Sequence, residues 1–159
     1  MGLGTTHNCW HGPYSSFMSW RIQLAKAAGL PPLELMEGYF FLDTLDSPVS
    51  LLMTGSEERA KNQIQRRILN YLPIKWECLK PSALHILLQH SDCEGSIEAK
   101  DCGSIADALG ALLPNLPEEN NDILYGGNQF HIPTLREKTQ QFIDGLRLAA
   151  SKNENVEFY

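Results

Sequence analysis

PTLREKTQQFIDGLRLAAS, residues 133–151, decides the fold. Leu135, Thr139, Phe142, Ile143, Leu146, Ala149 and Ala150 recur at spacings of three and four, the period of an amphipathic helix, and Pro133 suits its start. Working outward, Ile105, Leu109, Leu112 and Leu113 mark a helix over 103–113 that Pro114, Asn115 and Pro117 break. A helix from about Pro81 to Gln89 carries Leu84, Ile86, Leu87 and Leu88, apolar nearly all round and therefore central. Ser56-Glu57-Glu58 caps another, striped by Ala60, Ile64, Ile68 and Tyr71 and ended by Pro73. At the front, Pro13 opens a helix in which Tyr14, Phe17, Arg21, Leu24 and Ala28 share a face. Gly29, Pro31 and Pro32 stop it, and Leu33, Leu35 and Met36 fit a short helical turn over 32–37.

The expected fold is therefore mainly α, one compact domain spanning 1–159. Between Gly38 and Gly55, sticky residues (Tyr39, Phe40, Phe41, Leu42, Val49, Leu51) alternate with Asp43, Asp46, Ser47 and Pro48. This pattern predicts a loop with some extended structure and admits a small hairpin around 39–53. Glu118 to Asp122 reads as a solvated connection.

With 43% hydrophobic and 20% charged residues in a chain of 159, the composition is that of a globular domain, neither disordered nor fibrous. Thirteen basic against nineteen acidic residues give a net charge of -6. An anionic chain is poorly suited to binding a nucleic-acid polymer, which requires a cationic face. No apolar run reaches the roughly 18–20 residues of a membrane span, so no membrane association is expected. The opening MGLGTTHNCWHGPY lacks the basic start and apolar centre of a signal peptide. Cys9, Cys78, Cys93 and Cys102 show no CxxC spacing, and the expected location is the cytoplasm, where they stay reduced.

GxSxG, Walker, GxGxxG and HExxH patterns do not occur, so no catalytic residue, cofactor or metal is expected. His90 to Asp101 half-matches a calcium loop, with Asp92 and Glu94 at positions three and five and Gly95 at six. His90 replaces the first acidic ligand, however, and Asp101 is too short for the last. An Asp-stabilised turn is preferred. Cys9 or Cys93 as nucleophile would need a base that the sequence does not display.

The segment Thr6 to Ser16 holds Trp10, His11, Tyr14 and Ser15 around a helix start, where free N–H groups and the dipole favour anions. Arg21, two turns on, is an arginine on an apolar stripe and wants an anionic partner. Either a ligand phosphate or an internal carboxylate such as Asp92 or Asp144 satisfies that need. Trp10 or Tyr14 would stack on a base, or Trp10 would staple the helix. Ahead of the last helix, Tyr125 to His131 is glycine-rich and aromatic. Arg136 and Gln140 share a helix face beyond it, with Lys138 turned elsewhere. If the two helix starts converge, Arg21 and Arg136 can clamp one anion. The expected ligand-binding set is Trp10, His11, Tyr14, Ser15, Arg21, His90, Asp92, Arg136 and Gln140.

Three blocks, HNCWHGPYSSFMSWR (7–21), WECLKPSALHILLQHSDCEG (76–95) and LREKTQQFIDGLRLA (135–149), resemble an uncharacterised family of bacterial and phage proteins. The resemblance makes 40–72 a variable insertion. It implies a phage-type anti-defence protein, acting in the host cytoplasm, that sequesters a nucleotide-derived immune signal such as a cyclic nucleotide or an ADP-ribose derivative. A hydrolase cleaving such a signal and a protein-binding inhibitor are the alternatives. The expected partner is a small phosphorylated, nucleotide-like molecule, and homo-oligomerisation is left open.

Overall fold

Thr134 starts the longest helix by a reciprocal cap. Its hydroxyl accepts from the Glu137 N–H (3.2 Å), and the Glu137 carboxylate accepts from the Thr134 N–H (2.7 Å). Such a cap is worth about 1 kcal/mol, because it satisfies N–H groups that the helix itself cannot. The protein is described here by a computed structural model covering residues 2–39, 73–91, 94–119, 122–125 and 128–159. Four α-helices lie within those residues: α1 (Tyr14–Ala27), α2 (Leu84–Gln89), α3 (Ala99–Leu112) and α4 (Leu135–Lys152). Three antiparallel strand pairs accompany them, so the fold is mainly α. Among the described residues no helix is long and apolar enough to cross a membrane. The predicted helix after Ser56 and nearly all of the hairpin expected around 39–53 lie outside the described residues, as does Asp92.

The chain divides into two compact units, Met1–Ala27 with Ser82–Tyr159, and Ala28–Pro81. In the larger unit, α4 buries Thr139, Phe142, Ile143, Gly145, Leu146 and Ala149, the stripe that its periodicity predicts. Leu146, Phe142 and Ala149 are fully enclosed together with Phe17 and Leu24 of α1, Leu87 and Leu88 of α2, and Ile105 and Leu109 of α3. Burying each large apolar side chain contributes roughly 1.5–3 kcal/mol. An aromatic cluster joins α1 to α4: Trp20 and Phe142 lie 4.8 Å apart, and Trp10 lies 5.1 Å from Phe17 and 5.2 Å from Trp20. The Trp20 indole N–H donates to the Thr139 hydroxyl (2.9 Å), which donates onward to the Leu135 carbonyl (2.8 Å). Thr139 can therefore be polar and fully buried without an unmet hydrogen bond.

Gly145 explains why α4 tolerates a glycine that costs about 1 kcal/mol against alanine. A Cβ there would stand 2.5 Å from Cys9 Sγ, 2.8 Å from the His7 carbonyl oxygen and 2.9 Å from Cys9 Cα. The N-terminal segment crosses the helix at that point. At its far end α4 closes on Asn153 in the left-handed region, whose N–H reaches the Ala149 and Ala150 carbonyls. The chain then turns into β6 (Val156–Phe158), which pairs with β3 (Gly95–Ile97) and, through Tyr159, exchanges two backbone hydrogen bonds with Gly4. That strand goes unpredicted, being only three residues long. The other two pairs are β1 (Leu3–Gly4) with β2 (His11–Gly12), and β4 (Asp122–Tyr125) with β5 (Asn128–His131). The second is a hairpin where a solvated connection and a loop were expected.

In the smaller unit, the turn expected over 32–37 is a 3-10 helix, Leu33–Leu35. Met36 and Ile74 form a parallel bridge there, and the Trp76 indole N–H donates to the Glu37 carbonyl (3.0 Å).

Candidate functional site

The helix starts of α1 and α4 line one open cleft of about 420 Å³. From α1 come Ser15, Ser16, Ser19, Trp20 and Gln23. Residues 15, 19 and 23 are one turn apart each and present a polar strip beside the buried Phe17–Leu24 face. From the other side come Ile132, Pro133, Leu135 and Lys138, together with Glu119. Leu135 and Lys138 are three residues apart and share a face. The Lys138 ammonium lies 5.5 Å from the Trp10 ring centroid, a cation–π contact that holds the charge near the cleft wall. The cleft thus offers three hydroxyls, one amide, one ammonium and one carboxylate over an apolar floor. Such a mix suits a small polar molecule with one flat or apolar part.

Of the residues expected to bind ligand, Ser15 lies in this cleft. Arg21 does not, and its role as a phosphate clamp is corrected by its surroundings. The side chain is 1% exposed. Its guanidinium donates to the Leu88 carbonyl (3.4 Å) and the His90 carbonyl (2.5 Å), and it stacks 4.9 Å from the Phe17 ring. These contacts place the Arg21 guanidinium on the negative end of α2, away from the cleft. Arg136 is likewise turned away. It donates to the Leu116 carbonyl (2.9 Å), the Glu118 carboxylate (2.9 Å) and the Pro114 carbonyl (3.4 Å), closing the 3-10 turn Leu113–Asn115 that extends the end of α3. The two arginines therefore serve two different helix ends and clamp no common anion. The cation of the cleft is Lys138, on the face that helical periodicity had set aside.

Trp10, expected to stack on a base, is 4% exposed and packed in the aromatic cluster, so both its environment and its rings belong to the core. Its indole N–H has no acceptor among the described residues. His11 is exposed on β2, and Tyr14 is half-buried outside the cleft lining. His90 lies 4.1 Å from the Phe158 ring, its Nδ1 2.8 Å from the Ser91 carbonyl, while Gly95, at φ 111, leaves room for its Nε2. Gln140 donates to Asp144 (2.8 Å) and lines a second, separate groove with His7, Asn8 and Gln141.

The remaining reactive groups are engaged locally. His7 Nε2 meets Glu154 at 2.7 Å, and His131 Nε2 meets the Glu137 carboxylate at 2.8 Å. Burial pushes the Cys9 thiol up to about 12, so at neutral pH it is a thiol rather than a nucleophilic thiolate. Burial raises Cys102 as well and lowers His85. Among the described residues, no group of three or more His, Cys, Asp or Glu is placed to hold a metal ion.

Ser16, Ser19, Gln23, Lys138 and Glu119 were not predicted as site residues. The spacing of Ser15, Ser19 and Gln23 was the available signal for three of the polar lining groups. No family model, curated protein or solved structure matches the chain.

Proposed function

We propose that the protein binds a small, phosphorylated, nucleotide-like molecule in the cleft between the starts of α1 and α4, holding it rather than converting it. One observation carries this reading: both helix starts face one cavity whose only cation among the described lining residues is Lys138, beside the hydroxyls of Ser15, Ser16 and Ser19. Lys138 would take the phosphate as a point charge, and the hydroxyls and Gln23 would take ribose or base edges. Ile132, Pro133 and Leu135 supply an apolar side for a base. The local engagement of His7, His90 and His131 supports holding over hydrolysis, since none of these imidazoles lines the cleft. Sequestration of a nucleotide-derived immune signal by a phage-type anti-defence protein is the form that the family resemblance gives this reading.

Calorimetry with AMP tests it. Removing a charge-assisted contact in Lys138→Ala should weaken binding about ten- to a hundredfold, with the melting temperature little changed. Equal affinity in the two folded proteins refutes the placement of the ligand. AMP recovered intact after denaturing the complex supports holding; adenine and ribose phosphate fragments would make the protein a hydrolase.

A further inference from the structure

We infer that Glu119 sets the specificity of this cleft, restricting it to ligands with a single phosphate. The inference rests on the reading of the cleft as a nucleotide site and names the class that it admits. A helix start ordinarily attracts phosphate through its free N–H groups and positive dipole end. At α4 the chain supplies its own anions to those groups. The Glu137 carboxylate accepts from the Thr134 N–H (2.7 Å), and the Glu119 carboxylate, standing in the cleft, accepts from the Leu135 N–H (3.3 Å).

Glu119 is placed there by its neighbours. Arg136 grips Pro114, Leu116 and Glu118, so the segment leading to Glu119 is tied along the first turns of α4. Among the described lining residues Lys138 is then the single full positive charge and Glu119 the single full negative one. Lys138 can pair with one phosphate. A second phosphate in the same cleft would meet the Glu119 carboxylate with no further cation to offset it. Like charges a few ångströms apart at a partly shielded surface disfavour binding by about tenfold or more.

The test compares AMP with ADP on the full chain by calorimetry, using the wild type and Glu119→Gln. Glutamine keeps a carbonyl oxygen for the Leu135 N–H and removes the charge, so the helix start stays capped. The wild type should bind AMP about tenfold more tightly than ADP, and Glu119→Gln should erase or reverse that ratio. An independent readout needs no variant: the wild-type preference should narrow as salt rises, because screening weakens the repulsion of the second phosphate. If AMP binds but the ratio is the same in both proteins, or is insensitive to salt, this inference fails while the nucleotide reading stands. If neither nucleotide binds either protein, both fail together.

Discussion

Arg21, 1% exposed, lies against the end of α2, whereas Arg136, with its side chain 35% exposed, lies along the end of α3. Each places a guanidinium on the carbonyls that a helix leaves unsatisfied at its C-terminus. Arg21 does so in the core, on Leu88 and His90, with Phe17 beneath it. Arg136 does so at the surface and adds an ion pair with Glu118, itself 84% exposed. The chemistry is shared and the setting is not. Water can reach Pro114 and Glu118 around Arg136, whereas the Leu88 carbonyl under Arg21 is buried. Burial, not the number of hydrogen bonds, separates a structural arginine from a dispensable one.

Arg21→Ala separates the two settings most clearly. It strips the buried Leu88 carbonyl and the part-buried His90 carbonyl of a donor and leaves a void beside Phe17, so the expected loss is about 3–5 kcal/mol. Urea denaturation reads it directly. A loss below about 1 kcal/mol would mean that water enters and caps α2 in its place.

Arg136→Ala comes next, with an expected loss of about 0.5–1.5 kcal/mol from the helix-end interaction and a solvated ion pair. Half-molar salt should shrink that loss and leave the cost of Arg21→Ala unchanged. Equal costs for the two substitutions would overturn the role given to burial.

The same pair shows how far the sequence can be read. The helices are legible because Phe142, Ile143 and Leu146, like Phe17 and Leu24, repeat at the helical period, and the stops at Gly29 and Pro114 are local. Arg21 is legible as an anomaly, a charge on an apolar face. Its contacts with Leu88 and His90 are not, because these are backbone carbonyls 67 and 69 positions away, and a carbonyl carries no sequence signature. β6 is illegible for a related reason: Val156 and Phe158 alternate over three residues, too few to establish a period, and the strand is fixed by β3 and Gly4. In the cleft, Ser15 follows from the position of the helix start. Lys138 does not, because which side of α4 faces α1 depends on packing between elements far apart in sequence.

Acid acts on the region around Arg136 through Glu137. Glu137 caps the helix that carries Arg136, and its carboxyl is held below the usual carboxylate range, first by the Thr134 backbone N–H and then by His131. The folded state therefore gives up the carboxylate less readily than the unfolded chain. The contribution is complete above the ordinary glutamate value near 4.5, declines as pH falls from there, and is gone once pH has passed below the folded value. The stability difference between wild type and Glu137→Gln should follow that course in a series of denaturation curves between neutral and acid pH. The Leu88 and His90 carbonyls that Arg21 caps have no proton to gain in this range and an arginine none to lose, so these two contacts should not follow the Glu137 course. A stability difference between wild type and Glu137→Gln that stays constant across the series would show that the Glu137 carboxylate does not hold the α4 start.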